Sequence, residues 1–179
     1  MDSRKQGLAQ RAEKGAQAEQ ATGVELRVLE SRGWAVFHGR RVPGYRADLD
    51  HVLVPPIAQP TVVVLDTKRW HAGWETILHG GRVHCGLEDR HDQIEAVARY
   101  AARVRTALGG DVEVWPLVVV HGSRIPGGAL TAPVSGGVVH VLSVERLVPE
   151  MVKAGQGLPL VSQAGFADRV GRVLPPYRG

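Results

Sequence analysis

Three stretches of this sequence put acids and a lysine where apolar residues belong. The first is Val62-Val63-Val64-Leu65-Asp66-Thr67-Lys68, a β-branched run that ends in two charges. Period-two geometry sets Asp66 and Lys68 on the same strand face as Val62 and Val64. Charging one face of an interior strand is costly unless the charges pair or bind a ligand. The second stretch, Asp48-Leu49-Asp50-His51-Val52-Leu53-Val54, repeats the pattern, with Asp48 and Asp50 on the face of Val52 and Val54. If the two strands are neighbours their carboxylates converge, and a hard divalent cation is the usual remedy for that repulsion. Asp48 has the alternative of being an ordinary turn residue after Gly44. The third acid is Glu19, which at 100° per residue falls on one helical stripe with Leu8, Ala12, Gly23 and Leu26. A solvated glutamate at a helix edge is the competing reading.

The chemistry that uses such a set is phosphodiester hydrolysis. Carboxylates hold one or two metal ions that polarise a phosphate and acidify a water. A neighbouring lysine orients that water or offsets charge building on phosphorus. Asp66-Thr67-Lys68 supplies a ligand side chain, a backbone carbonyl at Thr67 and a cation within three residues. An Asp-x-Lys triplet is common by chance, and a structural Asp–Lys pair at a solvated sheet end is the plain alternative. Its place at the end of a buried strand, one strand after Asp50, is what makes it informative.

These residues need elements to carry them. A long proline-free helix is expected from Arg4 to Ser31, stopped by Gly33. Strands follow at Trp34–His38, Asp48–Val54 and Thr61–Trp70, the last buried on both faces. Glu75–Leu78 and Arg82–Cys85 form a hairpin at Gly80-Gly81. A second long helix spans Asp89–Leu108, followed by an interior strand at Val112–His121 and a strand near the sheet edge at Gly137–Leu142. Ser143 is expected to cap a helix toward Lys153, and Ser162 another toward Leu174 before Pro175-Pro176. The order predicts an α/β sandwich, a central mixed sheet flanked by helices.

A chain of 179 residues suits one domain, here 1–179 with its core at about 14–147 and C-terminal helices over 143–174. Hydrophobic residues at 44% and charged residues at 22% are ordinary for a globular protein. The net charge of +4 permits a polyanionic partner without requiring one. The single cysteine, Cys85, has no internal partner, so a reducing compartment is expected. Without a signal-like segment or an apolar run of about 18 residues, the expected location is cytoplasmic.

On Lys14-Gly15-Ala16-Gln17-Ala18-Glu19, on Asp48 to Val54, and on Val64-Leu65-Asp66-Thr67-Lys68-Arg69-Trp70, the sequence resembles the nuclease-related domain (NERD) family of the PD-(D/E)XK, Mrr-related superfamily. The resemblance covers roughly Lys14 to Leu147. It implies a restriction-endonuclease-like fold and a Mg²⁺- or Mn²⁺-dependent nuclease. Glu19, Asp50, Asp66 and Lys68 would form the core site, with Gln93 nearby and Asp50, Asp66, Thr67 and Glu19 toward the metal. The implied partner is nucleic acid, DNA first, with no membrane and with a homodimer as an option. Ala18 stands where the family commonly has glycine, Arg69 where it often has asparagine, and the stretch from Trp70 to Gly73 is longer than usual. The rival reading is a catalytically silent module of the same fold that binds DNA or a protein.

Other signals weigh less. Gln93 has two readings, a polar contact to the site or a boundary residue bonded to backbone. Arg99 and Arg103 form either a phosphate-contacting ridge or a solvated face. His79, His84 and Cys85 fit no standard zinc spacing. His51 should point away from the face of Asp50. Trp70 and Trp74 are packing residues or a platform for an unpaired base.

Overall fold

The apolar runs of the sequence become the middle of a sheet. The computed structural model describes residues 3–46 and 48–177, with side chains from residue 6 onward. Helix α1 (Ser3–Glu30) is built from Ala, Gln, Glu and Leu and stops at Gly33, which takes a φ of +85° that only glycine adopts without strain. Strands β1 (Ala35–Arg41), β2 (Asp48–Val54) and β3 (Thr61–Arg69) follow as an antiparallel meander. The hairpin β4 (Thr76–His79) and β5 (Arg82–Cys85) turns at Gly80 and Gly81, both at positive φ. With β6 (Glu88–Asp89) it makes a small second sheet.

Helix α2 (His91–Leu108) leads into β7 (Glu113–His121), which pairs in parallel with β3 along its whole length. Then come β8 (Ala129–Val134), β9 (Gly137–Ser143), α3 (Val144–Ala154) and α4 (Ala164–Val173). The main sheet runs β1-β2-β3-β7-β9-β8. Valines 52, 54, 62, 64 and 114 bury one face against Val104 and Leu108 of α2 and Val170 of α4. Leu53, Val63, Leu65, Leu117 and Val119 bury the other against Leu26 and Leu29 of α1 and Leu147 of α3. This alternation makes a mixed sheet with helices on both faces, the expected restriction-endonuclease-like α/β sandwich.

Four local expectations are corrected or completed. Gly137–Leu142 lies near the edge as expected, but no strand is expected beyond it and β8 pairs there as the edge. Pro133 hides that strand from a propensity reading, yet proline is tolerated on an edge. Helix α4 starts at Ala164 with Gln163, not Ser162, at its N-cap, and the Gln163 amide bonds instead to the Ile57 carbonyl. Helix α2 starts at His91, with the Asp89 carboxylate accepting from His91 N at 2.8 Å. Finally, Leu8 is 60% exposed and Ala12 is also exposed, so the inward stripe of α1 begins near Ala18. Length explains this: 28 helical residues span about 42 Å, whereas strands of seven to nine residues span about 23–30 Å. The helix outruns the sheet it covers.

Candidate active site

The register that pairs β2 with β3 matches His51 to Leu65, Val52 to Val64 and Leu53 to Val63. Past Leu65 the recorded pairing with β2 ends, while β3 stays bonded to β7 through Arg69. The Thr67 N–H is donated to Asp50 Oδ2 at 2.6 Å. A side chain has thus replaced a strand, and the two chains separate where their acids lie. Asp66 and Lys68 share a face and form an ion pair, Nζ to Oδ2 at 2.7 Å. The Asp66 side chain is 15% exposed and that of Lys68 is 28% exposed. Apart from the lysine, Asp66 Oδ2 has no hydrogen-bond partner among the described residues.

The electrostatics follow from burial. Burial first, then the charges of Asp66 and Glu19, push the Asp50 carboxyl up to about 7 against the pull of the Thr67 N–H and Lys68. Burial also raises Asp66, against the pull of Lys68. Glu19, half-buried on α1, is raised by burial and then by the charges of Asp48 and Asp66. The field of these acids is therefore shared, and exposed Asp48 contributes to it rather than serving only as a turn residue.

On the opposite side of β3, Thr67 Oγ1 donates to Thr22 Oγ1 at 3.3 Å, and Thr22 Oγ1 lies 2.8 Å from His121 Nε2. Thr67 is held from both sides, by Asp50 through its backbone and by α1 through its hydroxyl. Thr22 sits three residues after Glu19, on the same inward stripe. The sequence reading passes over it, and that one-turn spacing is the signal that could find it. His51 turns toward α1, away from the acids, with Nδ1 2.8 Å from His38 Nδ1 and Gly23 packed on both rings. Burial, then His38, lowers its pKa to about 4, so the ring is neutral and structural.

A model of the nuclease-related domain family matches residues 14–121, more than half of the chain. The chain belongs to this family. Its general assignment is the PD-(D/E)XK superfamily, and its members are usually metal-dependent. No curated protein and no solved structure matches the chain. The matched stretch contains Glu19, Asp50, Asp66, Lys68 and Gln93.

Gln93 makes a bond that neither of its readings specified. Its Oε1 accepts from Trp70 Nε1 at 3.2 Å, so it anchors the buried indole that follows β3. Arg103 places its guanidinium 3.6 Å from the Tyr45 ring centroid, a cation–π contact that neither reading of the Arg99–Arg103 pair included. His79 and His84 meet edge to face, and among the described residues no three His, Cys, Asp or Glu side chains converge as a ready-made metal cage. The acids still suit a hard cation. They are all oxygen donors, two are partly buried beside each other, and Mg²⁺ commonly takes only one or two carboxylates while keeping its waters. No described helix is long and apolar enough to cross a membrane.

Proposed function

We propose that this chain is a metal-dependent nuclease that hydrolyses phosphodiester bonds in DNA, with Asp50, Asp66 and Lys68 at its centre. The observation that carries the reading is the opening between β2 and β3. Two partly buried carboxylates and an ammonium meet there beside a backbone whose N–H is already taken. Asp50 and Asp66 would hold Mg²⁺ or Mn²⁺ with the Thr67 carbonyl and, directly or through water, Glu19. A bound cation of this kind supplies positive charge to a phosphate oxygen and lowers the pKa of a water. Lys68, tethered by Asp66, can orient that water or offset charge on phosphorus. Without metal the Asp50 carboxyl is pushed up to about 7, so loading a cation near neutrality would displace its proton. Gln93 supports the site through Trp70 rather than touching substrate. In this reading residues 1–179 act as one domain, in the cytoplasm.

A nicking assay on supercoiled plasmid with Mg²⁺ or Mn²⁺ tests the assignment. The native chain should nick, and Asp66→Ala and Lys68→Ala should each lose most of that activity. Nicking that both variants retain would reject these residues as the site. The second reading, a silent module that binds DNA or a protein, draws support from the Asp66–Lys68 pair, since a purely structural ion pair would look the same. Metal-independent DNA binding with no cleavage would favour it.

A further inference from the structure

We propose that the turn from β3 to β4 is a stacking step for an unpaired base, so that the site takes single-stranded or locally opened nucleic acid; this rests on the nuclease reading above. The turn carries two aromatic rings that the hydrophobic core does not use. His71 is exposed and lies on Trp74, with centroids 4.6 Å apart and planes 28° from parallel. Trp74 is 38% exposed and absent from all three core clusters, whereas the neighbouring Trp70 is buried in one of them.

The step is held rigidly. Trp74 N donates to the His71 carbonyl at 3.2 Å, and Gly73 N donates to His71 Nδ1 at 3.1 Å, which fixes the imidazole plane. Buried Ser123 donates its hydroxyl to the Trp74 carbonyl at 2.7 Å. Beneath the indole lies Gly86 at φ +58°, where a Cβ would come within 2.7 Å of Trp74 Cδ2. Only glycine lets the ring lie flat on the hairpin backbone, so the lower face of the pair is covered and the upper ring is the one in water. Preorganised rings lose little entropy when a planar ligand stacks on them.

Position selects the ligand. His71 follows Lys68 by three residues, so their Cα atoms are no more than about 11 Å apart. Arg69, between them, is exposed, rests over Gly122, and makes no ion pair among the described residues. A base on His71 would thus bring its backbone toward exposed Arg69 and the strand end that carries Lys68 and Asp66. The interior bases of a duplex keep both π-faces inside the helix stack, and an unpaired base offers one.

The test measures binding of the full-length chain, in EDTA, to a fluorescent single-stranded 20-nucleotide DNA and to its duplex. Trp74→Ala and His71→Ala should each weaken single-strand binding roughly tenfold and leave duplex binding within about twofold. His71→Tyr, which restores a flat ring, should recover the single-strand affinity. His71 is exposed, so its variants test the idea even if Trp74→Ala fails to fold. Equal losses on both DNA forms, or no loss on the single strand, would overturn the proposal while plasmid nicking by the native chain keeps the nuclease reading intact. A native chain that neither binds nor nicks would overturn both.

Discussion

Strand β3 does two different jobs along nine residues. From Thr61 to Leu65 it is buried on both faces and flanked by β2 and β7. From Asp66 to Arg69 it keeps β7 but loses its recorded pairing with β2, and its side chains become polar and partly exposed. Residue choice changes at the point where the pairing changes. Where the strand-to-strand pairing stops, the Asp50 side chain spans from β2 to the Thr67 N–H in its place. The first half buys stability with burial, and the second half holds charge that Lys68 and the Thr67 N–H offset only in part.

Paired substitutions should separate the two halves most sharply. Asp50→Asn should reduce metal-dependent cleavage at least ~100-fold while raising the thermal midpoint, because it removes a desolvated charge. Val63→Ala should do the reverse. It deletes two buried methyl groups and should cost about 2 kcal/mol of stability by denaturant titration, with cleavage per folded molecule little changed. If Asp50→Asn also unfolds the chain, the polar half is scaffold and the contrast is lost.

A graded version of the same contrast comes from pH. Burial raises the Asp50 carboxyl from an ordinary 3.8 to about 7, so the folded state favours its neutral form. The stability that neutral form contributes is fully present below pH ~4 and is lost as pH rises through about 7. The metal-free chain should therefore become easier to unfold by heat across that window, and Asp50→Asn should flatten the slope. Added Mg²⁺ should restore stability increasingly toward the alkaline end, because only ionised carboxylates bind it. A slope unchanged in Asp50→Asn would assign the titration to other groups.

The acids and Lys68 were legible in the sequence because each interrupts an apolar period, and a misplaced charge is visible without coordinates. The layers were legible for the same reason, since Val62–Leu65 alternates between two buried faces. What escaped was anything fixed by contacts distant in sequence. The Gln93–Trp70 bond depends on where the chain turns after β3. Strand β8 carries a proline that argues against a strand until its edge position is known. The overhang of α1 follows from comparing its length with that of the sheet, not from its composition. Thr22 and His121 lie 99 residues apart, and threonine is unremarkable on a helix.

That last pair gives the smallest predicted effect and the finest probe of how the two halves are joined. Thr22 Oγ1 accepts from Thr67 Oγ1, which leaves its own proton for His121 Nε2. Burial, with Arg69 next, lowers the His121 pKa, in keeping with a neutral ring whose Nε2 accepts. Thr22→Val keeps the shape and removes both bonds, at a cost of about 1 kcal/mol. Thr22→Ser should retain both. If Thr67 must be held from α1 for its backbone to serve the acids, Thr22→Val should also slow cleavage several-fold, with Thr22→Ser near the native rate. Lost stability with an unaltered rate would mean that β7 and Asp50 alone hold Thr67, and that the α1 face belongs to the stabilising half of the strand.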